Sequence, residues 1–356
     1  MNRNILIASF SLLAASLPAQ FYSGNLAVVR LGAAGQTLAN TGNSVFLEQY
    51  TTLGSFVNQV AIPDSGANAL IMSGSATSEG ALSLSPNGQL LAIGGYNTPR
   101  PYASSVSGST SANVPRVVGT VALDGSFALA SSTTTYLSAN NIRGGFTDGQ
   151  GNYWGVGAAT ANGISYFGSG TPAIVAGVNA RVLNAVNGSF YYSTGSGTRG
   201  IYSLAGAFPT SAATPTAAIL TGSSSSPYDF SFSPSGLIAY IADDTASAAG
   251  GVQRWENNGG TWTLAYTLGT GVNNIGARGL SVDWSGANPV IYGTSAESTA
   301  NRIFTITDTG AGSLAATLAT AGAGTSFRGL EMVPEPSSFA VLGLGLAALL
   351  GLRRKS

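Results

Sequence analysis

The sequence predicts an all-β protein, and within that class a β-propeller of six blades. Three features support the prediction: a hairpin pattern that repeats along the chain, a composition suited to many tight turns, and a last repeat that stops after one strand. The chain has 356 residues, among them 49 Gly, with 44% hydrophobic and only 8% charged residues. This composition can build a core between short strands, whereas disordered chains combine low hydrophobicity with high net charge.

Each repeat contains an alternating strand, a turn with glycine and a second apolar strand, which together predict a β-hairpin. Five copies align: EGALSLSPNGQLLAIGG from Glu79, IRGGFTDGQGNYWGVG from Ile142, ARVLNAVNGSFYYSTG from Ala180, PYDFSFSPSGLIAYIAD from Pro227 and ARGLSVDWSGANPVIYGT from Ala277. Further strand pairs lie between them, so each unit has four strands. The arginines at 143, 181, 278 and 328 follow one another at 38, 97 and 50 residues. If the step of 97 covers two units, each unit has about 40 to 50 residues, which is the size of a four-stranded propeller blade.

The sixth copy, FRGLEMV from Phe327, supplies one inner strand only. Three candidate partner strands lie at the other end of the chain, in GNLAVVRLG, NSVFLEQYTT and SFVNQVAIP. We therefore predict that the first and last segments form one blade together, which closes the ring without a long free edge. Seven blades would result if RVVGTVALDGSFALA, from Arg116, formed an inner hairpin instead of an outer pair. A β-helix or a sandwich fits the repeat less well.

Composition also limits the chemistry. The chain has no Cys and no His, which excludes histidine-based triads, cysteine nucleophiles, disulfides and zinc sites built on these residues. Between residues 20 and 333 there are ten Arg and thirteen Asp or Glu, a net charge of about three negative, so we expect no nucleic-acid partner. Turn-like Asp residues show no calcium-loop spacing, and we predict neither a metal nor a cofactor.

The first 19 residues read as a signal peptide. Arg3 and the amino terminus precede an apolar run from Ile5 to Leu17, and small residues lie near Ala19. Cleavage after Ala19 would make Gln20 or Phe21 the first residue of the exported protein. A buried N-terminal helix is the alternative.

The other end, VPEPSSFAVLGLGLAALLGLRRKS, combines Pro334, Glu335 and Pro336 with an apolar run over 339–352 and a basic cluster of Arg353, Arg354 and Lys355. As a helix the run would reach ~21 Å, which is short of a hydrocarbon core of ~30 Å. A transient stop during export therefore fits better than a permanent anchor, with the basic cluster on the cytoplasmic side. An uncleaved weak anchor is the alternative.

This order of motif, short apolar helix and basic residues resembles the PEP-CTERM sorting signal of Gram-negative bacteria, over about 24 residues. The resemblance implies that an exosortase recognises residues 334–336 and removes the tail. It also implies a link with exopolysaccharide and biofilm, and only transient contact of 339–352 with the inner membrane. We expect three segments: a signal peptide (1–19), a propeller (20–333) and the sorting signal (334–356).

Four arginines, Arg143, Arg181, Arg278 and Arg328, open the innermost strands of their blades, where Glu79 and Tyr228 fill the remaining two positions. Such a ring at one channel mouth could bind an anionic ligand such as an acidic polysaccharide through paired hydrogen bonds. Alternatively, each arginine ties neighbouring blades together. Trp255 and Trp262 offer a second candidate for stacking on sugars, although packing across strands is more common for such a pair.

We predict no catalytic residue, because no carboxylate pair recurs in a glycosidase-like pattern. The sequence favours an exported, non-catalytic propeller at the cell surface or in the matrix that binds polysaccharide or protein. The alternative is a carboxylate-based polysaccharide hydrolase or lyase on the same fold, since propellers host both. The ligand and the oligomeric state do not follow from the sequence.

Overall fold

The computed structural model describes residues 20–334. The predicted signal peptide, the residues of the sorting signal from Glu335 onward and the predicted apolar helix lie outside the described residues. In residues 20–334 no helix is long and apolar enough to cross a membrane.

Six antiparallel sheets of four strands each account for the described chain. Blade 1 contains β24 (Ser326–Met332), β1 (Leu26–Leu31), β2 (Val45–Tyr50) and β3 (Phe56–Ala61), in that order from the channel outward. Blade 2 contains β4 (Leu82–Leu84), β5 (Leu90–Tyr96), β6 (Arg116–Ala122) and β7 (Phe127–Thr133). Blade 3 contains β8 (Ile142–Thr147), β9 (Tyr153–Gly157), β10 (Ile164–Tyr166) and β11 (Ala173–Ala176), with a short 3-10 helix at Ala159–Ala161.

Blade 4 contains β12 (Leu183–Val186), β13 (Ser189–Thr194), β14 (Gly200–Leu204) and β15 (Pro215–Leu220). Blade 5 contains β16 (Pro227–Phe232), β17 (Ile238–Asp243), β18 (Gly251–Asn258) and β19 (Thr261–Leu268). Blade 6 contains β20 (Ala277–Asp283), β21 (Val290–Ser295), β22 (Arg302–Thr307) and β23 (Ala316–Thr320). The six-bladed prediction is confirmed. The seven-bladed alternative is wrong, because the segment from Arg116 forms the outer strands β6 and β7.

The ring closes as predicted, by pairing the two ends of the described chain. Strand β24 pairs antiparallel with β1, with Leu26 opposite Met332 and Leu31 opposite Ser326. The pairing continues past the strand, since the Val333 amide donates to the Asn25 carbonyl at 2.8 Å. Closing the ring in this way pairs the inner edge of blade 1, which would otherwise be open to other chains.

The inner strands run in the same direction around a narrow channel. A parallel bridge joins Ala81 of blade 2 to Gly144 of blade 3. The strands are so close that a Cβ on Gly329 would lie 2.2 Å from the Leu82 nitrogen. The residues that begin the inner strands therefore meet at one mouth of the channel, and the residues that end them meet at the other.

Apolar side chains fill the spaces between neighbouring blades. Between blades 3 and 4, Phe190 packs edge-on against Phe146 and Trp154, with both ring centroids 4.9 Å away. The indole of Trp154 is fully buried and donates to the Pro209 carbonyl at 2.8 Å. Buried aromatic rings in such contacts contribute both apolar area and geometric specificity. This packing makes each blade a fixed platform for the loops at the channel mouths.

Candidate functional site

The four predicted arginines lie at one mouth of the channel, here called the arginine mouth (Arg143, Arg181, Arg278 and Arg328). Three of them, Arg143, Arg278 and Arg328, lie in the inner strands β8, β20 and β24, and Arg181 precedes β12. Since the inner strands are parallel, these positions converge at the same end. The structure brings all four predicted residues together.

Each arginine also makes a contact with a neighbouring blade. Arg143 donates to Asn179 and to the Ala180 carbonyl, at 2.8 and 2.9 Å, just before blade 4 begins. Arg328 donates to the Thr77 carbonyl at 3.0 Å, before blade 2 begins. These contacts occupy some of the hydrogen-bond donors of each guanidinium group. The Nε atoms of Arg143 and Arg328 are buried and have no hydrogen-bond partner within residues 20–334.

Blade 5 contributes no arginine to the mouth, and its residues lie between two arginines of the neighbouring blades. The guanidinium carbons of Arg181 and Arg278 are 4.2 and 5.7 Å from the ring centroid of Tyr228. The Asp244 carboxylate lies 3.7 Å from Arg181 and 3.2 Å from Arg278. One carboxylate and one aromatic ring thus bridge two cations, an arrangement that leaves a surplus of positive charge.

Arg328 and Glu79 are the deeply buried charged groups of the mouth, each with only 3% of its surface exposed. Burial, and then the charge of Arg278, lowers the pKa of Arg328 to about 10. Burial raises the pKa of Glu79 to about 8, although the Tyr96 hydroxyl and the Ser73 amide donate to its carboxylate at 2.6 and 2.8 Å. The Glu79 carboxyl is therefore mostly protonated at pH 7 and neutralises little of the arginine charge.

Glu79 does not occupy the position, equivalent to the four arginines, that the repeat alignment gave it. The alignment placed Glu79 at the position equivalent to the arginines, but the bridge between Ala81 and Gly144 makes Gly80 the counterpart of Arg143. Gly80 has a φ of +89°, and a Cβ there would lie 2.8 Å from the Cβ of Arg328. A side chain would therefore clash with the closing strand, and Glu79 points instead toward Tyr96.

Two carboxyl groups inside the channel were missed by the sequence analysis. Asp229 is 1% exposed, and its carboxylate accepts hydrogen bonds from Asn184 and from the amides of Phe230 and Leu280. Glu331 in β24 is partly buried and lies near the Ser281 hydroxyl, at 3.4 Å. Burial raises the pKa of both carboxyls, and the charge of Asp229 raises the pKa of Glu331 further.

The channel is constricted near Asp229 and opens at the end opposite the arginine mouth, here called the tail-side opening. Next to Arg278, Arg328 and Asp229 the free volume is about 20 Å³. The tail-side opening is a cavity of about 490 Å³ that Glu331 and several Ser and Asn side chains line. Pro334 leaves the propeller at this end, because a Cβ on Gly88, in the turn after β4, would lie 2.9 Å from its ring.

Trp255 and Trp262 do not form an exposed pair. Trp255 is 6% exposed and donates to the Gln253 side chain at 3.0 Å. Trp262 packs edge-on against Phe232 with centroids 5.6 Å apart. Within residues 20–334 no group of three or more acidic side chains is placed to hold a metal ion. Of the sorting-signal residues only Pro334 is described, while Glu335, Pro336, Arg353, Arg354 and Lys355 lie outside.

The fold and the channel define the class: a six-bladed β-propeller with a cationic mouth at one end of its channel and Pro334, the last described residue, at the other. Residues 333–355 match the family described as the PEP-CTERM protein-sorting motif. This motif indicates an exported protein with a C-terminal membrane-anchor signal, and it implies processing by an exosortase.

Comparison with whole proteins adds little. No curated protein matches the chain. Among solved structures, a protein from Bacteroides fragilis proposed to be a 6-phosphogluconolactonase has 12% identity and a TM-score of 0.49, with 83% of this chain and 81% of that one covered. The periplasmic gluconolactonase of Pseudomonas aeruginosa has 14% identity and a TM-score of 0.47, with 83% of each chain covered. At these values the similarity carries no argument about activity.

Proposed function

We propose that this protein is an exported, non-catalytic propeller of the cell surface or extracellular matrix that binds acidic polysaccharide at its arginine mouth. The observation that carries the proposal is the charge balance of the mouth. Four guanidinium groups lie there with the Asp244 carboxylate and the mostly protonated Glu79. A local excess of positive charge on a body that is negative overall favours an anionic ligand at this place.

The arginines retain donors for such a ligand. Arg278 uses its Nε for Asp244, and Arg181 uses one terminal nitrogen for Ser226 and Pro227. Each remaining terminal nitrogen can donate to a carboxylate of a uronic acid, and guanidinium groups suit the paired geometry of that contact. The constriction of about 20 Å³ below the mouth is too small for a sugar ring, so the polymer would bind across the mouth rather than thread the channel.

The position of Pro334 supports access to the mouth. Pro334 is the last described residue and lies at the tail-side opening, at the end of the channel opposite the arginine mouth. We therefore expect a polysaccharide to reach the arginine mouth both before and after an exosortase removes the tail. A signal peptide over 1–19 and cleavage near residues 334–336 complete this proposal, in agreement with the matched sorting motif.

Binding of the full-length chain to polygalacturonate and to a neutral glucan tests the proposal. We expect binding to polygalacturonate that weakens with added salt, because screening shortens the reach of the arginine charges. The double variant Arg143→Gln, Arg278→Gln should lower this affinity by roughly tenfold or more, whereas Arg100→Gln, at a partly exposed ion pair outside the mouth, should not. Unchanged affinity in a folded double variant, judged by its melting temperature, would exclude the mouth as the site.

A hydrolase or lyase is the second candidate, and the channel carboxyls favour it. A carboxyl with a raised pKa can donate a proton to a glycosidic oxygen, and a second carboxylate can act as base or nucleophile. Glu331 reaches the tail-side opening, but Asp229 is buried and its oxygens accept three hydrogen bonds. Because Asp229 is not free to act on a substrate, we rank catalysis below binding. A hydrolase would release reducing ends from a bound polysaccharide, and a lyase would release unsaturated uronate. Detection of either product, and its loss in Glu331→Gln, would make catalysis the preferred function.

A further inference from the structure

A concave cleft between blades 5 and 6 lies next to the tail-side opening and has no part in the function proposed above. The cleft has a volume of about 590 Å³ and is lined by Arg254 and Tyr266 of blade 5 and by Trp284, Asn288 and Asp308 of blade 6. This volume falls within the range of pockets that hold small organic ligands. Its walls come from two blades that share one apolar core cluster.

The floor of the cleft is a network of polar groups that pair with one another around Asp308. The Asp308 carboxylate accepts from the hydroxyls of Tyr240 and Tyr266 and from Arg254, the last at 2.9 Å. Burial alone would raise the pKa of Asp308, but these hydrogen bonds hold it below its usual value. Burial and the bond to Asp308 raise the pKa of Tyr266 to about 12, so its hydroxyl stays protonated.

Two aromatic side chains lie at the sides of the cleft. The indole of Trp284 stacks on Tyr240 with ring centroids 5.3 Å apart and an angle of 30°, and its nitrogen donates to Ser231 at 3.0 Å. Both contacts fix the orientation of the indole, which therefore loses little conformational entropy when a ligand binds. Tyr266 is partly exposed. The cleft thus combines fixed aromatic surface with polar groups at its floor and rim.

The charge of the residues in the cleft indicates which class of ligand it can bind. The charged residues that line the cleft are Arg254 and Asp308, and they pair with each other at 2.9 Å. Because one positive charge balances one negative charge, the cleft favours neither polyanions nor polycations. What remains is a neutral ligand with many hydroxyl groups and one apolar face, which describes a pyranose ring: its C–H face can lie on an aromatic ring while its hydroxyls bond to Arg254 and Asn288.

We propose that the blade 5–6 cleft binds a neutral pyranose oligosaccharide, with Trp284 as the stacking platform. The site is independent of the arginine mouth, because it uses other residues and is proposed to bind a neutral ligand instead of an acidic one. It lies on the face from which Pro334 leaves, since it is formed by the turns that follow β16 and β20 and the loop that follows β22.

Titration of the full-length chain with neutral hexasaccharides of glucose and of N-acetylglucosamine, and with hexagalacturonate, tests the proposal by tryptophan fluorescence and calorimetry. We expect a neutral hexasaccharide to bind and to change the emission of the protein. Trp284→Phe keeps a ring against Tyr240 and should weaken binding by roughly tenfold. Trp262→Phe changes a tryptophan outside the cleft, so this control variant should bind normally.

Three results would overturn the proposal. The first is that no neutral hexasaccharide binds at millimolar concentration. The second is that Trp284→Phe is folded and binds as the unchanged chain does. The third is that only hexagalacturonate binds and that Trp284→Phe weakens it, which would make the cleft a site for anions. The double variant Arg143→Gln, Arg278→Gln should keep its neutral ligand, so failure of the arginine mouth and failure of the cleft are distinguishable.

Discussion

Glu79→Gln should change how the stability of the protein depends on pH. The pKa of Glu79 is raised by burial from 4.5 to about 8, so the folded state holds a proton that the unfolded chain releases. A group with a raised folded pKa contributes its full stabilisation below its unfolded pKa, and that contribution is lost as the pH rises through the folded pKa. For Glu79 the loss therefore occurs between pH 4.5 and about pH 8.

The size of the effect follows from the shift. Each pH unit inside this window changes the free energy of unfolding by about 1.4 kcal/mol for one proton. Between pH 5 and pH 8 the unchanged chain should lose about 4 kcal/mol relative to Glu79→Gln, which cannot ionise. The amide can keep both hydrogen bonds, because its oxygen can accept from the Ser73 amide and its NH2 group can donate to the Tyr96 hydroxyl.

Urea unfolding followed by tryptophan fluorescence at pH 5, 6, 7 and 8 measures the difference. Because Asp229 and Glu331 are present in both proteins, their contributions cancel in the comparison. Glu256→Gln, near the surface of blade 5, is the matched control. Two curves separated by the same free energy at every pH would refute the reasoning: Glu79 would then be ionised throughout in the folded protein, with the charges of Arg328 and Arg116 outweighing its burial.

Three further predictions concern the closing strand, the mouth and the tail. Gly329→Ala should destabilise the protein by about 1–3 kcal/mol or more in urea unfolding, because its Cβ would overlap backbone atoms of blade 2, whereas Gly286→Ala at an open turn should be nearly neutral. Affinity for polygalacturonate should fall between pH 6 and pH 9 as Glu79 ionises and reduces the positive charge of the mouth; an affinity that rises over this range would contradict the charge assignment. Replacing Glu335 and Pro336 by Ala should leave an uncleaved precursor in the membrane fraction, visible by mass spectrometry, and normal release would argue against processing at this motif.

The fold could be predicted from the sequence because each repeat of the pattern corresponds to one blade. Alternating strands and turns that contain Gly88 or Gly236, both with a φ of +69°, recur in the aligned copies. The incomplete copy at FRGLEMV then required partners, and only the N-terminal segments remained without a blade. Pairing of Leu26 with Met332 confirms this inference. Periodicity determines such a fold because each unit has the same hydrogen-bonding and packing requirements.

The sites were less predictable, because they depend on residues from different blades. Asp229 and Glu331 affect one another's pKa although 102 positions separate them in the sequence. Trp284 and Tyr266 line one cleft from neighbouring blades, and no motif marks the pair. An error of one position in the repeat alignment placed Glu79, instead of Gly80, at the position equivalent to Arg143. Side-chain direction in a strand reverses with each residue, so a shift of one position changes which groups face the channel.

The position of Pro334 predicts when each of the two proposed sites becomes accessible to its ligand. Six residues, 333–338, separate the closing strand from the predicted apolar segment, and a fully extended chain of that length spans at most about 22 Å. We propose that, while that segment is held in the membrane, the face with the cleft lies nearer to the membrane surface than the arginine mouth does, because Pro334 lies at that face. We therefore expect acidic polysaccharide to bind before and after processing, and neutral oligosaccharide to bind mainly after release. One propeller released in this way would carry sites for two kinds of glycan on opposite faces, and binding at both sites would cross-link the two polymers.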